Sequence, residues 1–216
     1  ARPASAALSG LRRDVMRLSS ALAGFSRDLV QVLERALNPR HGLINALADE
    51  PLGEEAFGLW LVHATVSPPT YYRGNAKSKV TTTERGTGAA FSRQNACWAA
   101  VGEALERYAA SIYWPDQLLQ ASAVELGDRA LAMARLIRSG RPEIRLFNAA
   151  ARRAWVRGAD MVSGAERLVP AAMTYLGYVR DSDDEAIQQN DSTGLACGLS
   201  AESARLSALC EVIERD

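Results

Sequence analysis

The chain has 216 residues, 48% of them apolar, enough to bury a substantial core in one domain or one large piece of a domain. Its 25 basic and 25 acidic residues cancel, so bulk charge points to neither nucleic acid nor a membrane surface as partner. No run reads as a membrane span or as a signal peptide; Cys97, Cys197 and Cys210 lack CxxC spacing, so a cytoplasmic chain with reduced, buried thiols is expected. His41 and His63 are too few and too isolated for a zinc site or a catalytic triad.

In chain order, residues 5–37 are helical in pattern. Leu11, Val15, Leu18, Leu22 and Phe25 form one stripe and Leu29, Val32, Leu33 and Leu37 another, as in one or two amphipathic helices that pack on the core or mediate dimerisation. Residues 38–42 read as a turn. Phe57–Val66 has the length and residue types of a buried strand, ended by Pro68-Pro69. The stretch Arg73–Arg85 is basic and threonine-rich, a solvated loop in which Arg73, Lys77, Lys79 and Arg85 are the alternative phosphate contacts.

Gly86–Ser92 reads as a glycine-bearing loop that leads into a helix, where free backbone N–H groups suit an anion. Residues 122–139 form a further helical pattern with Leu126, Ala130, Met133 and Leu136 in step. Alternation at Ile144–Phe147 and Ala154–Arg157, a turn at Ser163-Gly164 and a return at Leu168–Ala171 predict strands and a hairpin. Met173–Val179 continues the strand or forms a short helix, and Asp181–Asn190 should be a surface loop before a second glycine-bearing loop at 191–198. Strands followed by a capped helix, twice, make the fold class α/β.

The element that recurs is ExxER. Glu103-x-x-Glu106-Arg107 returns as Glu211-x-x-Glu214-Arg215, 108 positions later. That offset aligns Gly86–Tyr108 on Gly194–Asp216 without a gap, matching Gly86 with Gly194, Ser92 with Ser200, Ala96 with Ala204 and Ala100 with Ala208. One ExxER arises by chance in roughly a few per cent of chains this long; two in register, each behind a glycine and a serine, indicate a duplicated unit. Ser92 and Ser200 stand where N-caps belong. Trp98, Val101, Leu105 and Tyr108 form the apolar stripe of the first helix, and Leu206, Leu209 and Ile213 that of the second.

Glutamates at i and i+3 share a helix side, here away from the stripe and flanked by Ala96, Ala99 and Ala100. A solvated face is the plain reading of one such pair, but two pairs in register weigh against it, and if the two helices face each other four carboxylates converge. Four converging carboxylates must be protonated or neutralised by cations, and an all-oxygen set suits Mg2+ shared with nucleotide phosphates.

The segments GTGAAFS…GEALERY and STGLACGLS…ALCEVIERD resemble the two halves of the YcaO domain. Trp155–Asp160, Glu166–Ala171 and Asn38–Ile44 also resemble stretches of that family, so the likeness covers residues 38–216 and leaves 1–37 as a helical N-terminal extension. It implies a YcaO-like fold of duplicated strand, loop and helix units, here an N-terminal partial domain. It also implies ATP and Mg2+ as cofactors, with Glu103, Glu106, Glu211 and Glu214 as the metal-holding carboxylates and these four, with Arg107 and Arg215, lining the nucleotide site. Arg215 is a candidate phosphate contact, with pairing of either arginine to a neighbouring glutamate as the alternative.

The implied reaction is cyclodehydration of Cys, Ser or Thr in a ribosomal precursor peptide to thiazoline or oxazoline, through phosphorylation of the backbone amide oxygen. Thioamide or amidine formation, or a non-catalytic scaffold subunit, are the alternatives. The implied partners are the precursor peptide, a leader-binding protein resembling ubiquitin-activating enzymes, a flavin-dependent azoline oxidase and a second copy in a homodimer. There are departures: many members carry Gly-Lys-Gly where this chain has Gly86-Thr87-Gly88, and a serine ahead of the first glutamate pair, absent from Cys97–Gly102. The family continues well past its second motif, so a fragment that is inactive alone is expected.

Overall fold

In the computed structural model, residues 31, 34–38, 41–53, 57–68, 85–133, 147–185, 187 and 192–215 are described. The longer elements, in order, are strands β1 (Ile44–Glu50), β2 (Trp60–Val66) and β3 (Arg85–Ala90), helix α1 (Arg93–Ala110), strand β4 (Leu119–Ala121), the single-turn helix α2 (Ala123–Leu126), strands β5 (Arg153–Ala159) and β6 (Glu166–Pro170), the single turn α3 (Ala171–Thr174) and helix α4 (Ala201–Arg215). The chain divides into two units: residues 1–68, 82–109 and 193–216 in one, 69–81 and 110–192 in the other. Of the predicted helical extension, residues 1–30, 32 and 33 lie outside the described residues. Residues 31 and 34–36 are helical, and Leu37 forms a parallel bridge with Ile44.

In the first unit β1, β2 and β3 form an antiparallel sheet in sequence order. Strand β2 starts at Trp60 rather than Phe57, because Phe57 and Gly58 both take positive φ in the preceding turn. The strand is covered on one face only: Val62, Ala64 and Val66 are buried while the residues between them are not. This alternation is what a sheet with one packed face requires. Strand β1, INALADE, carries a weaker alternation and escaped sequence reading.

The segment expected as an anion-binding glycine loop is instead strand β3. Its glycines face α1: a Cβ on Gly86 would stand 2.2 Å from the Ala100 carbonyl oxygen, and one on Gly88 2.0 Å from that of Ala96. Glycine is therefore required here for direct contact between a strand and a helix backbone. The deepest face of α1 is accordingly Ala96, Cys97, Ala100, Val101 and Ala104, whereas Trp98, Leu105 and Tyr108 of the expected stripe are only partly buried against it. Residues 73–84 of the basic stretch lie outside the described residues; Arg85 is the exposed first residue of β3.

The second unit holds the antiparallel sheet β4–β5–β6. The predicted hairpin is present. Gly164 takes φ of 71°, and Asp160 Oδ1 accepts from the backbone N–H groups of Val162 and Ser163. The predicted 122–139 helix is not continuous: Ser122 and Glu125 form a capping box for one turn, and Gly127 at φ 56° ends it in a 3-10 turn. Ala130 then bridges to Leu168, and residues 134–139 lie outside the described set.

Residues 144–146 also lie outside it, as do 186 and 188–190 of the expected acidic surface loop. That loop is partly interior, since Glu185 and Ile187 are buried. The Glu185 carboxylate is tolerated because it accepts from Tyr178 Oη at 2.8 Å, Asp181 N at 2.7 Å and Ala154 N at 3.3 Å. Residues 171–174 form the short helix left open for that region.

Candidate nucleotide and magnesium site

Both motif helices belong to the first unit. Each is started by the predicted serine: Ser92 Oγ accepts from Asn95 N, and Ser200 Oγ from Ser203 N, both at 3.2 Å. Each then repeats the same internal arrangement around its first glutamate. Glu103 Oε1 accepts from Arg107 Nε and Nη2 at 2.8 Å, and Glu103 Oε2 accepts from the Thr87 backbone N–H at 2.6 Å. In the second copy Glu211 Oε1 pairs with Arg215 Nη2 at 2.7 Å, and Glu211 Oε2 accepts from the Gly194 backbone N–H at 3.2 Å. One carboxylate oxygen faces the motif arginine, and the other faces the backbone of the segment that precedes the helix.

The backbone donors differ by one register position, because Thr87 lies in an extended strand whereas Gly194 sits at φ 83° in a turn. Arg215 Nη1 also donates to Thr193 Oγ1 at 3.1 Å. Both motif arginines thus pair with the glutamate four residues back, the arrangement left open as the alternative to phosphate contact.

The two helices bring carboxylates together. Burial, then Glu211 and then Glu103 push the Glu106 carboxyl above its ordinary value, with Arg107 and the Cys197 backbone N–H pulling the other way. Cys197 packs 3.7 Å from the position a side chain would take at Gly102, and its own thiol is pushed up by desolvation and by Glu106. Glu106, Glu103 and Glu211 therefore share one electrostatic neighbourhood; Glu214 is exposed on α4.

The chain's own guanidinium groups neutralise two of the four carboxylates, a source of compensation that the sequence pattern alone does not specify. Among the described residues no group of three or more His, Cys, Asp or Glu side chains is arranged to hold a metal ion. The donor set fits Mg2+ in kind, being all carboxylate oxygen, with the first glutamate of each pair already committed to donors of the protein.

Sequence reasoning missed His63. Its Nδ1 lies 3.2 Å from Thr87 Oγ1 and its Nε2 contacts Glu50 Oε2, so Thr87 is tied through its amide to Glu103 and through its hydroxyl to the outer face of the sheet. The signal was the cross-strand pairing of His63 with Thr87, invisible until the register was known. The cysteines also differ from expectation: Cys97 is buried, but Cys197 and Cys210 are exposed, Cys210 on a helix that has no buried residue.

A family model described as YcaO cyclodehydratase, ATP- and Mg2+-binding, matches residues 87–216, more than half of the chain and both ExxER motifs. The chain belongs to the YcaO family. ATP and Mg2+ are the cofactors that this family's description names. Among solved structures, one entitled a heterocyclase in complex with substrate and cofactor is similar, with a TM-score of 0.62 at 20% identity over 84% of this chain. YcaO from Methanopyrus kandleri, bound with AMPPCP and Mg2+, is similar with a TM-score of 0.54 at 19% identity over 80% of this chain. At such identities the likeness is one of fold, a mixed α/β YcaO architecture. The chain spans 26% of the first protein's length and 37% of the second's, a partial domain. A search of curated proteins found no match. Among the described residues no helix is long and apolar enough to cross a membrane.

Proposed function

We propose that the protein uses Mg-ATP to activate backbone amides of a ribosomally made precursor peptide, cyclising Cys, Ser or Thr onto the preceding carbonyl. The side-chain nucleophile adds to the carbonyl carbon, the resulting oxygen takes the γ-phosphoryl group of ATP, and expulsion of phosphate closes the C=N bond of the azoline. Per ring the peptide loses one water and ATP becomes ADP and phosphate. Mg2+, when bound, neutralises phosphate charge during transfer. This chain's residues supply the remainder: Glu103, Glu106, Glu211 and Glu214 would hold the metal, and Arg107 and Arg215 would supply positive charge to the phosphates.

What supports this most is that Glu106 lies within electrostatic reach of Glu103 and of Glu211 on the second motif helix, in a chain of an ATP- and Mg2+-binding family. The resemblance supplies the assembly: a leader-binding partner similar to ubiquitin-activating enzymes, an azoline oxidase and a homodimer built on residues 38–216 with 1–37 as an extension. The exposed thiols of Cys197 and Cys210 support work in a reducing compartment, the cytoplasm.

The test is ATP turnover by the intact protein with precursor and partner present. Glu103→Gln and Glu214→Gln should each lower it by roughly 10²-fold or more while thermal unfolding stays cooperative. Unchanged turnover in both refutes the site. Mass spectrometry of the peptide then reads the reaction, since loss of one water per ring means azoline and exchange of oxygen for sulfur means thioamide.

A further inference from the structure

The two copies of the motif solve the same electrostatic problem in the same way. Glu103 and Glu211 are each held by the arginine one turn later and by one backbone N–H of the preceding segment. A carboxylate that accepts a guanidinium on one oxygen and an amide on the other has its charge neutralised and its geometry set before any cation arrives. Both pairs are open to solvent, with 30% and 34% of the side chain exposed at Glu103 and Arg107, and 25% and 49% at Glu211 and Arg215. Pairs of that exposure are weak and exchangeable. A divalent cation concentrates more charge on the same oxygens than a delocalised guanidinium does.

We propose that Arg107 and Arg215 are exchangeable counter-ions of the site. In the cation-free chain they occupy Glu103 and Glu211; when a divalent cation enters they yield those carboxylates, which leaves two guanidinium groups available for phosphate oxygens. The backbone contacts from Thr87 and Gly194 hold the glutamates in place during the exchange, which makes the two arginines positioning residues that couple metal binding to nucleotide binding. Reciprocity then requires nucleotide to tighten the metal by the same factor that metal tightens the nucleotide. This inference rests on the metal-site reading above.

The experiment is a double-mutant cycle on Mn2+ affinity, by titration calorimetry of the intact protein without nucleotide. Arg215→Gln should tighten Mn2+ binding by up to about fivefold, the strength of an exposed ion pair of this kind. In a Glu211→Gln background the same substitution should change it little, because there is no longer a carboxylate to release. The Arg107/Glu103 cycle should behave alike. Helix α4 contains no buried residue, so the second-copy variants fold even where a first-copy variant does not.

An equal tightening in both backgrounds reveals a general field effect of removing a positive charge and overturns the exchange. No tightening overturns it too. Mn2+ that binds only together with nucleotide overturns the exchange and leaves the site, whereas loss of Mg-ATP binding in none of the glutamate variants removes the site itself.

Discussion

Helices α1 and α4 carry one sequence register and one arrangement of cap, first glutamate and arginine, yet they sit in different surroundings. Helix α1 lies on a three-stranded sheet, with Ala96, Ala100 and Ala104 fully buried against a strand whose glycines admit helix backbone at contact distance. Helix α4 has no buried residue, and Leu206, Leu209 and Ile213 of its predicted stripe are 64%, 43% and 68% exposed. No described strand leads directly into it, since residues 192–200 are irregular. The polar end of the motif is thus encoded locally, within one helix and the few residues before it, and forms whether or not a sheet is present. The apolar face depends on what lies next to it.

Substitutions at matched positions test that division. The largest effect is expected for Gly88→Ala, where a methyl group would collide with the Ala96 and Ala100 backbones. A loss of about 3 kcal/mol or more by thermal or denaturant unfolding is expected, at the upper end for overpacking. Gly194→Ala should cost less, about 1–2 kcal/mol, since φ there is 83° and the nearest side-chain atom, Val212 Cγ2, is 3.2 Å away and can give. Ala100→Leu against Ala208→Leu sharpens the same contrast: about 2 kcal/mol lost in the first, near zero in the second, with equal losses contradicting the division. By contrast Ser92→Ala and Ser200→Ala should cost alike, about 1 kcal/mol each, because both serines cap in the same way; unequal losses would mean that the caps are not local features.

The smallest effect concerns Glu106. Its pKa is raised in the folded chain, so its ionised form opposes folding: the stability linked to its protonated form is complete below the ordinary carboxylate value and is lost as pH rises through the raised one. Glu106→Gln should therefore raise the melting temperature of the cation-free protein at neutral pH by a few degrees at most. The difference should vanish when the pH is taken below 4.5, the ordinary value. A variant less stable than the parent at neutral pH would show that Glu106 is held by attraction rather than by repulsion.

The sequence alone determined the duplicated register, the serine caps, the hairpin around Gly164 and the grouping of glutamates on one side of each helix, because each depends on residues within a few positions of one another. Only the tertiary structure decided that Gly86 and Gly88 line a strand packed on α1 rather than an anion-binding loop, that Glu103 reaches the Thr87 amide, and that His63 stands across from Thr87. It also decided that Glu106 comes within electrostatic reach of Glu211 and that Glu185 turns inward. A helix specifies its own i,i+3 and i,i+4 neighbours through its period. Contacts between residues tens or a hundred positions apart depend on how sheet and helices pack, which no local spacing records.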